Sequence, residues 1–402
     1  MANRLLVYTE NYSRGGSNRY LLYLLDALAN KFDKSIVVSN QNGLFPEEIE
    51  IFKGNKKLIE LRIASKVLLQ LKTPQLIKNH LILRKLWGFF LLCGEPFIDI
   101  YNAFLFSLLL LRIKPSRILV FNGGYPGGTS CLVMVVVSKM MGIKVDMSIV
   151  SMPTPRRSYL QIVEKFFDLI VWKCSNQIIT NCGAIGLSLI EMRALPENKS
   201  ITLLNGVRDI SNYIPKSYPS VSINKKIVIG FVSRIEESKG VFVLLNAFLK
   251  LEDLHQDFEL RYYGDGSDHE KLVKMIKTKK ISHKVKAFGH YFGDISKIMA
   301  EIDIFVSPSF WEGLPYSLLE AMRSGLAIIA TDVGGTTEAV ENLVSGLIVP
   351  PRSEEAILVA IMNLASRPDL MNSIGNGARE AFLTKFESDK TRENVHVFFS
   401  NS

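Results

Sequence analysis

The chain has 402 residues and a mass of 45.2 kDa, and 48% of its residues are hydrophobic while 22% are charged. This length exceeds what one hydrophobic core normally supports and suits two domains of about 200 residues each. The near-average composition excludes a disordered, collagen-like or disulfide-rich protein. The four cysteines form no CxxC pair and have no histidine at ligand spacing, which favours reduced thiols in a cytoplasmic protein over a zinc or disulfide framework.

The positive charge is concentrated in the N-terminal half. Residues 1–200 hold 25 Lys and Arg against 14 Asp and Glu, which accounts for the whole net charge of +9. The stretch 61–94 is apolar and contains no acidic residue, and its basic residues are Arg62, Lys66, Lys72, Lys78, Arg84 and Lys85. The pattern favours a segment lying on an anionic membrane surface, with a solvated basic face on core helices as the alternative.

A membrane-spanning helix is not predicted from the apolar stretch 86–111. Glu95, Pro96 and Asp99 interrupt it, and the uncharged run 100–111 is shorter than the roughly 20 residues that a spanning helix needs. Peripheral attachment is therefore the prediction. A nucleic-acid partner is not predicted, because no zinc finger, RNA-binding aromatic motif or recognition-helix pattern accompanies the charge.

Short apolar runs alternate with helical patterns along the chain. The predicted strands are 4–8, 35–39, 117–121, 144–150 and 177–180 in the first half, and 226–232, 259–263, 284–288, 304–306 and 327–330 in the second. A helical pattern follows the first strand, and helices are predicted at 240–252, 268–278, 294–301, 315–324 and 336–342. This alternation predicts an α/β fold with parallel sheets covered on both faces.

The strand–helix pattern starts again near residue 225, after the proline-containing loop 215–222. We therefore predict two Rossmann-like, doubly wound domains at 1–205 and 206–385, with the segment 386–402 packing back toward the first domain. Two such domains in tandem face a central cleft, and ligands in these folds bind beyond the carboxyl ends of the strands.

The loop 233–240 follows a predicted strand and precedes a helix, and it contains Arg234, Lys239 and Gly240. The N–H groups of a helix N-terminus and two neighbouring cations together suit a diphosphate. The alternative is that Lys239 and Gly240 merely begin the helix, and the loop alone does not decide between the two.

The stretch 308–322 is more specific. Pro315 suits the first turn of a helix, so the N–H groups after it are available to phosphate oxygens. One interpretation is that Glu312 and Glu320 both contact a ligand around that turn. The alternative is that Glu312 interacts with the helix dipole and that Glu320 is a solvated helix residue. The candidate binding residues at this helix start are Glu312, Gly313, Leu314, Pro315, Tyr316, Ser317, Leu318 and Glu320.

In the order and spacing of its motifs, the second half resembles the retaining glycosyltransferases of group one, which have the GT-B fold. The resemblance covers 201–352, whereas in the first half it rests on Gly15 and Gly16 and on the segment 204–207. The motifs are Ser233-Arg234 with Lys239-Gly240, 263–266, 288–290, Glu312 with Glu320 at E-x7-E spacing, 332–335 with Glu338, and 346–350.

The resemblance implies a nucleotide-sugar donor as co-substrate, with neither a cofactor nor a metal. It implies that Arg234 and Lys239 neutralise the diphosphate and that Glu320 holds the ribose. Glu312 would contact the donor sugar, so Glu312, Arg234 and Lys239 are the expected catalytic residues. It further implies that Gly15 and Gly16 let the backbone approach the donor, that Gly266 belongs to a turn at the same edge, and that the loop with His290 passes near the base.

One departure from the family concerns the loop 151–157. Many members carry a histidine there, whereas this loop contains Arg156 and Arg157 and no histidine. The two arginines are either a surface basic pair or a contact for the phosphate of a lipid-linked acceptor. Cys182, where the family often has a small hydroxyl residue, is interpreted as a packing thiol.

These observations predict a peripheral transferase on the cytoplasmic face of the cell membrane, which adds a sugar to a lipid-linked or oligosaccharide acceptor in surface polysaccharide synthesis. A catalytically inactive GT-B binding protein is the alternative, because the histidine is absent. A dinucleotide-dependent oxidoreductase is less favoured, because the first loop lacks GxGxxG, and a P-loop kinase is excluded by the absence of GxxxxGK[ST].

Overall fold

A computed structural model describes residues 3–12, 15–41, 56–71, 73–211, 213–216, 226–251, 257–291 and 293–401. The chain divides into two compact units, which are residues 1–203 with 395–402 (unit 1) and residues 204–394 (unit 2). Lys72 of the basic stretch, the side chain of Lys78 and most of the predicted loop 215–222 lie outside the described residues.

Unit 1 is built on a seven-stranded parallel sheet with the order β3-β2-β1-β4-β5-β6-β7. Its strands are β1 (Arg4–Thr9), β2 (Lys34–Asn40), β3 (Lys56–Leu61), β4 (Arg117–Asn122), β5 (Lys144–Ile149), β6 (Ile178–Thr180) and β7 (Ser200–Thr202). All six residues of β4 are buried, as expected for a central strand covered on both faces.

The helices of unit 1 lie on both faces of this sheet. They are α1 (Gly16–Ala27), α2 (Lys66–Leu71), α3 (Gln75–Asn79), α4 (Leu81–Ile113), α5 (Thr129–Met140), α6 (Gln161–Cys174) and α7 (Gly183–Arg193). Right-handed crossovers place α4, α5, α6 and α7 on one face and α1 on the other. Helix α5 packs between α4 and α6, so these three helices form one layer.

Unit 2 is built on a six-stranded parallel sheet with the order β10-β9-β8-β11-β12-β13. Its strands are β8 (Ile227–Val232), β9 (Phe258–Tyr263), β10 (Val285–Ala287), β11 (Ile304–Ser307), β12 (Ala327–Thr331) and β13 (Leu347–Val349). Its helices are α8 (Val241–Leu249), α9 (His269–Thr278), α10 (Ile295–Glu301), α11 (Tyr316–Arg323), α12 (Thr336–Ala339), α13 (Glu354–Ala365) and α14 (Pro368–Lys385).

The last helix, α15 (Ser388–Asn401), begins in unit 2 and ends in unit 1. Its end packs on the unit 1 face that carries α1. Phe399 lies edge-on to Phe32 at 6.4 Å between ring centroids, and Arg117 lies over the rings of Phe398 and Phe399. The imidazole of His396 bonds to the backbone carbonyl of Ala27.

Helix α4 extends the predicted apolar stretch in both directions. Its 33 residues correspond to about 50 Å. Among the described residues it is the one helix whose length and composition would suffice to cross a membrane, with 22% of its most apolar window buried. Pro96 lies inside this helix and does not end it. Glu95 and Asp99 therefore interrupt the apolar sequence with acidic side chains, but the helix itself is continuous through them.

The N-terminal half of α4, which is its outer half, is held by polar contacts to the segment that precedes the helix in sequence. Lys66 pairs with Glu95 at 2.8 Å, and the Trp87 indole donates to the hydroxyl of Thr73 at 3.0 Å. The C-terminal half packs on the sheet instead, where Phe106 meets Tyr8 edge-on at 4.9 Å between centroids. Burial, with a smaller contribution from the nearby Glu95 and Glu10, raises the pKa of Asp99 to about 6, although Lys66 acts to lower it.

Candidate active site

The loops that follow the central strands of unit 2 are hydrogen-bonded to one another along the carboxyl edge of the sheet. The loop after β8 bonds to the loop after β9 through Ile235 N–H and the carbonyl of Asp265 (3.0 Å). It bonds to the loop after β11 through Phe310 N–H and the carbonyl of Ser238 (2.9 Å). Three separate predicted motifs are therefore parts of one structural edge.

Two further contacts extend this edge in both directions. Gly264 N–H donates to the carbonyl of Gly289 (2.8 Å), which joins the loops after β9 and β10. Gly335 N–H donates to the carbonyl of Gly313 (2.9 Å), which joins the loops after β12 and β11. All five loops are thus fixed relative to one another by backbone hydrogen bonds within unit 2.

Glycine is required at Gly240 for two reasons. Its φ of 73° lies in the left-handed region, and a Cβ built there would overlap the carbonyl of Pro308. A short 3-10 turn, Glu237–Lys239, precedes it, and α8 begins directly after it. The backbone turn at Gly240 therefore brings Lys239 beside the loop that follows β11.

The side chains of Lys239 and Glu312 form an ion pair at this edge. The Lys239 ammonium lies 2.6 Å from Glu312 Oε1, and the Ser309 hydroxyl donates to the same oxygen at 2.8 Å. Ser309 is itself fixed, because the Thr331 hydroxyl donates to its backbone carbonyl at 2.6 Å. Only about a tenth of each of the paired side chains is exposed, so the two charges are shielded from bulk water.

The Arg234 side chain is about half exposed. Its guanidinium donates to Glu236 Oε1 at 2.5 Å. Both cations that the sequence assigns to a diphosphate are therefore present at the carboxyl edge, and each is paired with a carboxylate of the protein. Glu236 was not among the predicted site residues, although its place between the two cations in sequence is a usable signal.

Helix α11 begins at Tyr316, one residue later than the prediction, and Pro315 is its N-cap. In an α-helix the first N–H groups have no intrahelical acceptor, and here they belong to Tyr316, Ser317 and Leu318. Gly313 and Leu314 are buried in the loop before the helix, and the Leu314 carbonyl accepts a bond from the Asn205 side chain at 2.6 Å. The helix start is thereby held rigidly on the unit 2 framework.

Glu320 is only 1% exposed. The alternative of a solvated helix glutamate is therefore wrong for this residue. Glu312 and Glu320 lie at opposite ends of the α11 start, one in the preceding loop and one in the second turn. The E-x7-E spacing thus puts Glu312 beside Lys239 and Glu320 at a buried position in the second turn of α11.

The loop after β10 contains an aromatic stack. Phe288 lies parallel to Tyr263 with 4.8 Å between centroids and an interplanar angle of 7°. The next two residues are Gly289, whose φ of 72° requires glycine, and the exposed His290. Gly266 is exposed in the neighbouring turn after β9.

In unit 1, Gly15 is the N-cap of α1 and Gly16 is its first residue, beyond the end of β1. A Cβ built on Gly15 meets no atom within 4 Å, and its φ of 173° is extended backbone that any residue adopts. Within the part of unit 1 that the structure describes, nothing therefore requires glycine at Gly15. The predicted role of this loop in admitting a ligand remains a prediction.

The loop 151–157 of unit 1 is held by an ion-pair network that the sequence did not predict. Arg156 donates to Asp168 at 2.8 Å, and Arg157 donates to Glu164 at 2.5 Å. Both acids lie one turn apart on α6 and are buried. Arg156 is therefore not a surface residue, and both arginines already have carboxylate partners within unit 1.

The buried Arg193 pairs with both acids, Glu164 and Asp168. It is 1% exposed, and it donates to Glu164 at 2.9 Å and to the backbone carbonyl of Thr154 at 2.8 Å. Tyr125 donates its hydroxyl to Asp168 at 2.8 Å. Burial and the Asp168 carboxylate raise the pKa of this tyrosine well above its usual range. The signal in the sequence was a pair of acids at i and i+4 on a helix that is rich in apolar residues.

Cys182, where the family often has a small hydroxyl residue, is fully buried as the N-cap of α7. Among the residues that the structure describes, no three His, Cys, Asp or Glu side chains are grouped so that they could hold a metal ion. The described part of the chain also contains its four cysteines, all as free thiols.

Residues 216–381 match the family model described as glycosyl transferases group 1. Among curated proteins, an uncharacterised glycosyltransferase of Methanocaldococcus jannaschii is 26% identical over 235 residues, which are 56% of this chain and 60% of that protein. A Campylobacter jejuni N-acetylgalactosaminyltransferase named for a diphospho-undecaprenol acceptor is 23% identical over 249 residues, covering 60% of this chain and 67% of that protein.

Solved structures share the fold over both units. The crystal structure of Anabaena HepE in complex with UDP superposes with a TM-score of 0.73 at 17% identity, covering 99% of this chain and 100% of that one. The two parallel sheets match the GT-B architecture. Unit 2 therefore matches the group-1 glycosyltransferases, and the chain has the GT-B fold, which counts against the oxidoreductase alternative.

Proposed function

We propose that the chain transfers a sugar from a nucleotide-diphosphate donor to a glycan acceptor with retention of anomeric configuration and without a metal ion. The observation that carries this proposal is the shielded Lys239–Glu312 pair, at 2.6 Å, beside the start of α11. A cation, a carboxylate and helix N–H groups at one edge match the three needs of the donor. These are charge neutralisation, sugar orientation and phosphate hydrogen bonding.

In this proposal the donor diphosphate takes the Lys239 ammonium as its counterion, together with the Arg234 guanidinium. The glycosidic C–O bond to the diphosphate breaks, and the two cations stabilise the negative charge that the leaving group gains. Glu312 accepts hydrogen bonds from the donor sugar, since its oxygen is already fixed by Ser309. Because the cations belong to the protein, this step requires no divalent ion.

Retention follows if the acceptor hydroxyl attacks on the face that the diphosphate leaves. The new C–O bond forms to an oxocarbenium-like carbon, and the acceptor proton passes to an oxygen of the departing diphosphate. No carboxylate of the protein is then needed as a base. This differs from a glycosidase, in which two carboxylates flank the bond that breaks.

Glu320 is proposed to hold the ribose hydroxyls, and the loop of Phe288 to His290 to lie beside the base. Support comes from the burial of Glu320 and from the rigid glycine turns that join this loop to the rest of the edge. The Anabaena structure contains UDP, which makes a uridine diphosphate sugar the first donor to examine.

The acceptor is proposed to be a lipid-linked glycan of surface polysaccharide synthesis. The Campylobacter relative is named for a diphospho-undecaprenol acceptor. Unit 1 also exposes large apolar side chains on the outer half of α4, which are Leu81, Ile82, Leu83, Leu86, Phe89 and Phe90, beside the exposed cations Arg84 and Lys85. This supports peripheral attachment of α4 to the inner face of the cell membrane.

The proposed donor site is tested by titrating UDP and uridine calorimetrically into the parent and Lys239→Ala. Loss of one charged contact is expected to weaken UDP binding roughly 10- to 150-fold, with uridine binding nearly unchanged. Lys250→Ala is the matched control, because Lys250 is also paired with a glutamate but belongs to the opposite end of α8. An equal loss for both ligands would contradict the assignment of Lys239 to the diphosphate.

A catalytically inactive nucleotide-sugar-binding protein is the second candidate. Two observations favour it. The loop 151–157 lacks the family histidine, and its arginines are already paired with carboxylates. A transfer and hydrolysis assay with UDP-, GDP-, ADP- and CDP-sugars distinguishes the two. Donor binding without any turnover, with lipid-linked acceptors supplied, would select the inactive protein.

A further inference from the structure

Helix α6 of unit 1 buries its acidic residues and exposes apolar residues, which is the reverse of the usual arrangement on a surface helix. Its two acidic residues, Glu164 and Asp168, are buried and face the protein, together with Val171 and Trp172. These positions follow the i, i+4, i+7, i+8 pattern of one helix face. A surface helix normally buries its apolar stripe and exposes its charges.

The opposite face of α6 and the turn before it are apolar and exposed. Ile162 is 86% exposed and Phe166 is 61% exposed, and further exposed apolar residues are Tyr159, Val163, Phe167 and Leu169. The charged residues exposed on this helix are Lys165 and Lys173, both cations. A contiguous apolar surface of this kind on a soluble domain marks an interaction site.

Positive charge also surrounds the end of α6. Lys139 of α5 is exposed, and it lies near enough to Lys199 to contribute, after burial, to a lowered pKa of that ammonium. The exposed face of α6 therefore combines apolar side chains with cations, and carries no acidic side chain of its own helix. This combination is complementary to an anionic lipid surface, in which acyl chains lie beneath negative headgroups.

The same layer of helices includes α4, since α5 packs between α4 and α6 on one face of the sheet. We propose that α6 is a second membrane-docking helix, which lies on the anionic bilayer surface with Ile162, Phe166 and their apolar neighbours inserted among the headgroups. Glu164 and Asp168 bond to Arg156, Arg157 and Arg193, so they hold the loop 151–157 against α6 and therefore close to the membrane surface. The role of this loop toward a lipid-linked acceptor rests on the proposed function, whereas the docking of α6 does not.

The test is flotation of the full chain with vesicles of phosphatidylcholine, alone or mixed with phosphatidylglycerol. Ile162→Ser with Phe166→Ser is expected to lower the partition coefficient about tenfold or more on both vesicle types, because it removes two inserted side chains. Lys165→Gln with Lys173→Gln is expected to lower binding about fivefold per lysine on the mixed vesicles alone. Val359→Ser, which changes an exposed apolar residue on α13 of unit 2, is expected to leave flotation with both vesicle types unchanged.

Unchanged flotation of both double variants would overturn the proposal. So would an apolar variant that alters the oligomeric state in sedimentation velocity while its vesicle binding stays at the parent level, because the face would then bind a second copy of the chain. The lysine pair keeps the test decisive if the apolar variant folds poorly. Calorimetric binding of UDP to the same proteins separates the two proposals. A parent that floats with vesicles and binds no nucleotide would refute the proposed function and leave α6 docking intact.

Discussion

The two units each contain an ion pair shielded from water near the end of a β-strand, and the two pairs differ in how many partners they have. In unit 1, Arg193 bonds to Glu164, Thr154 and Pro155, and its two carboxylate neighbours also bind Arg156 and Arg157. In unit 2, one oxygen of Glu312 receives both Lys239 and Ser309.

The difference shows why cations after a strand do not by themselves define an anion site. The arginines of unit 1 are joined to buried acids by several bonds, so displacing those acids with a ligand would break a whole network. Among the residues that the structure describes, Lys239 has a single carboxylate partner, at an edge made of glycine turns and a helix start. A diphosphate can replace that one partner at the cost of one contact, which is the property expected of a binding residue rather than a structural one.

Among the substitutions that test this comparison, Glu312→Ala is expected to have the largest effect, which is on the rate of transfer. If Glu312 orients the donor sugar, kcat should fall about hundredfold. The KM for the donor should not rise, because Lys239 loses its internal partner and remains available to the diphosphate. The measurement is steady-state transfer or donor hydrolysis, compared with Glu320→Ala, which should chiefly raise the KM. Equal effects of the two substitutions on both constants would show that their roles are not divided.

The next effect concerns the stability of unit 1. Arg193→Met leaves two buried carboxylates with fewer partners and is expected to lower the free energy of unfolding by about 3–5 kcal/mol. Urea unfolding followed by tryptophan fluorescence, to which the buried Trp172 contributes, measures this change. Arg112→Met is the control, because Arg112 is exposed and also lies in the last turn of a helix. If UDP affinity fell while unfolding stayed unchanged, Arg193 would be a ligand residue and the comparison would fail.

The smallest effect concerns Asp99 of α4, whose Oδ1 is buried and has no hydrogen-bond partner among the described residues. Its folded pKa of about 6 lies above the unfolded value, so its contribution to stability is complete below about pH 4 and is lost as the pH rises through 6. Asp99 is partly exposed, so solvent screening reduces the effect, and Asp99→Asn should stabilise the protein by about 1 kcal/mol at pH 7.5. At pH 4 it should have almost no effect. Denaturant unfolding at both pH values tests this, and a gain that is equal at both would contradict the assigned cause.

The parts of the fold that depend on local chemistry could be predicted from the sequence. Strand β8, the turn at Gly240 and the start of α11 near Pro315 were each placed within about a residue. Glycine marks backbone turns that other residues rarely adopt, and proline fixes its own φ near the start of a helix. The short strands β7 and β13 were not predicted, since three residues carry almost no periodicity. Strand β3 was missed because its charged sequence, KKLIEL, resembles a solvated segment.

The ion-pair network of unit 1 could not be predicted, because its members are distant in sequence and meet only through packing. Arg193 lies 29 residues from Glu164, and nothing local to either residue indicates the other. Helix α4 likewise continues through Pro96, since a proline inside a helix costs stability but contacts along the rest of the helix can offset that cost. The placement of Arg234, Lys239, Glu312 and Glu320 at one edge followed from the alternation of strands and helices, whereas the pairing of Arg234 with Glu236 did not.

The path of α15 has a consequence for biosynthesis. The rings of Phe398 and Phe399 that cover Arg117 belong to the final residues of the chain, although Arg117 is made within the first third. On the ribosome, unit 1 therefore lacks part of its covering layer until all of unit 2 has been translated. A nascent chain stalled before residue 395 would present an unfinished first unit to chaperones, however well its seven strands had already paired.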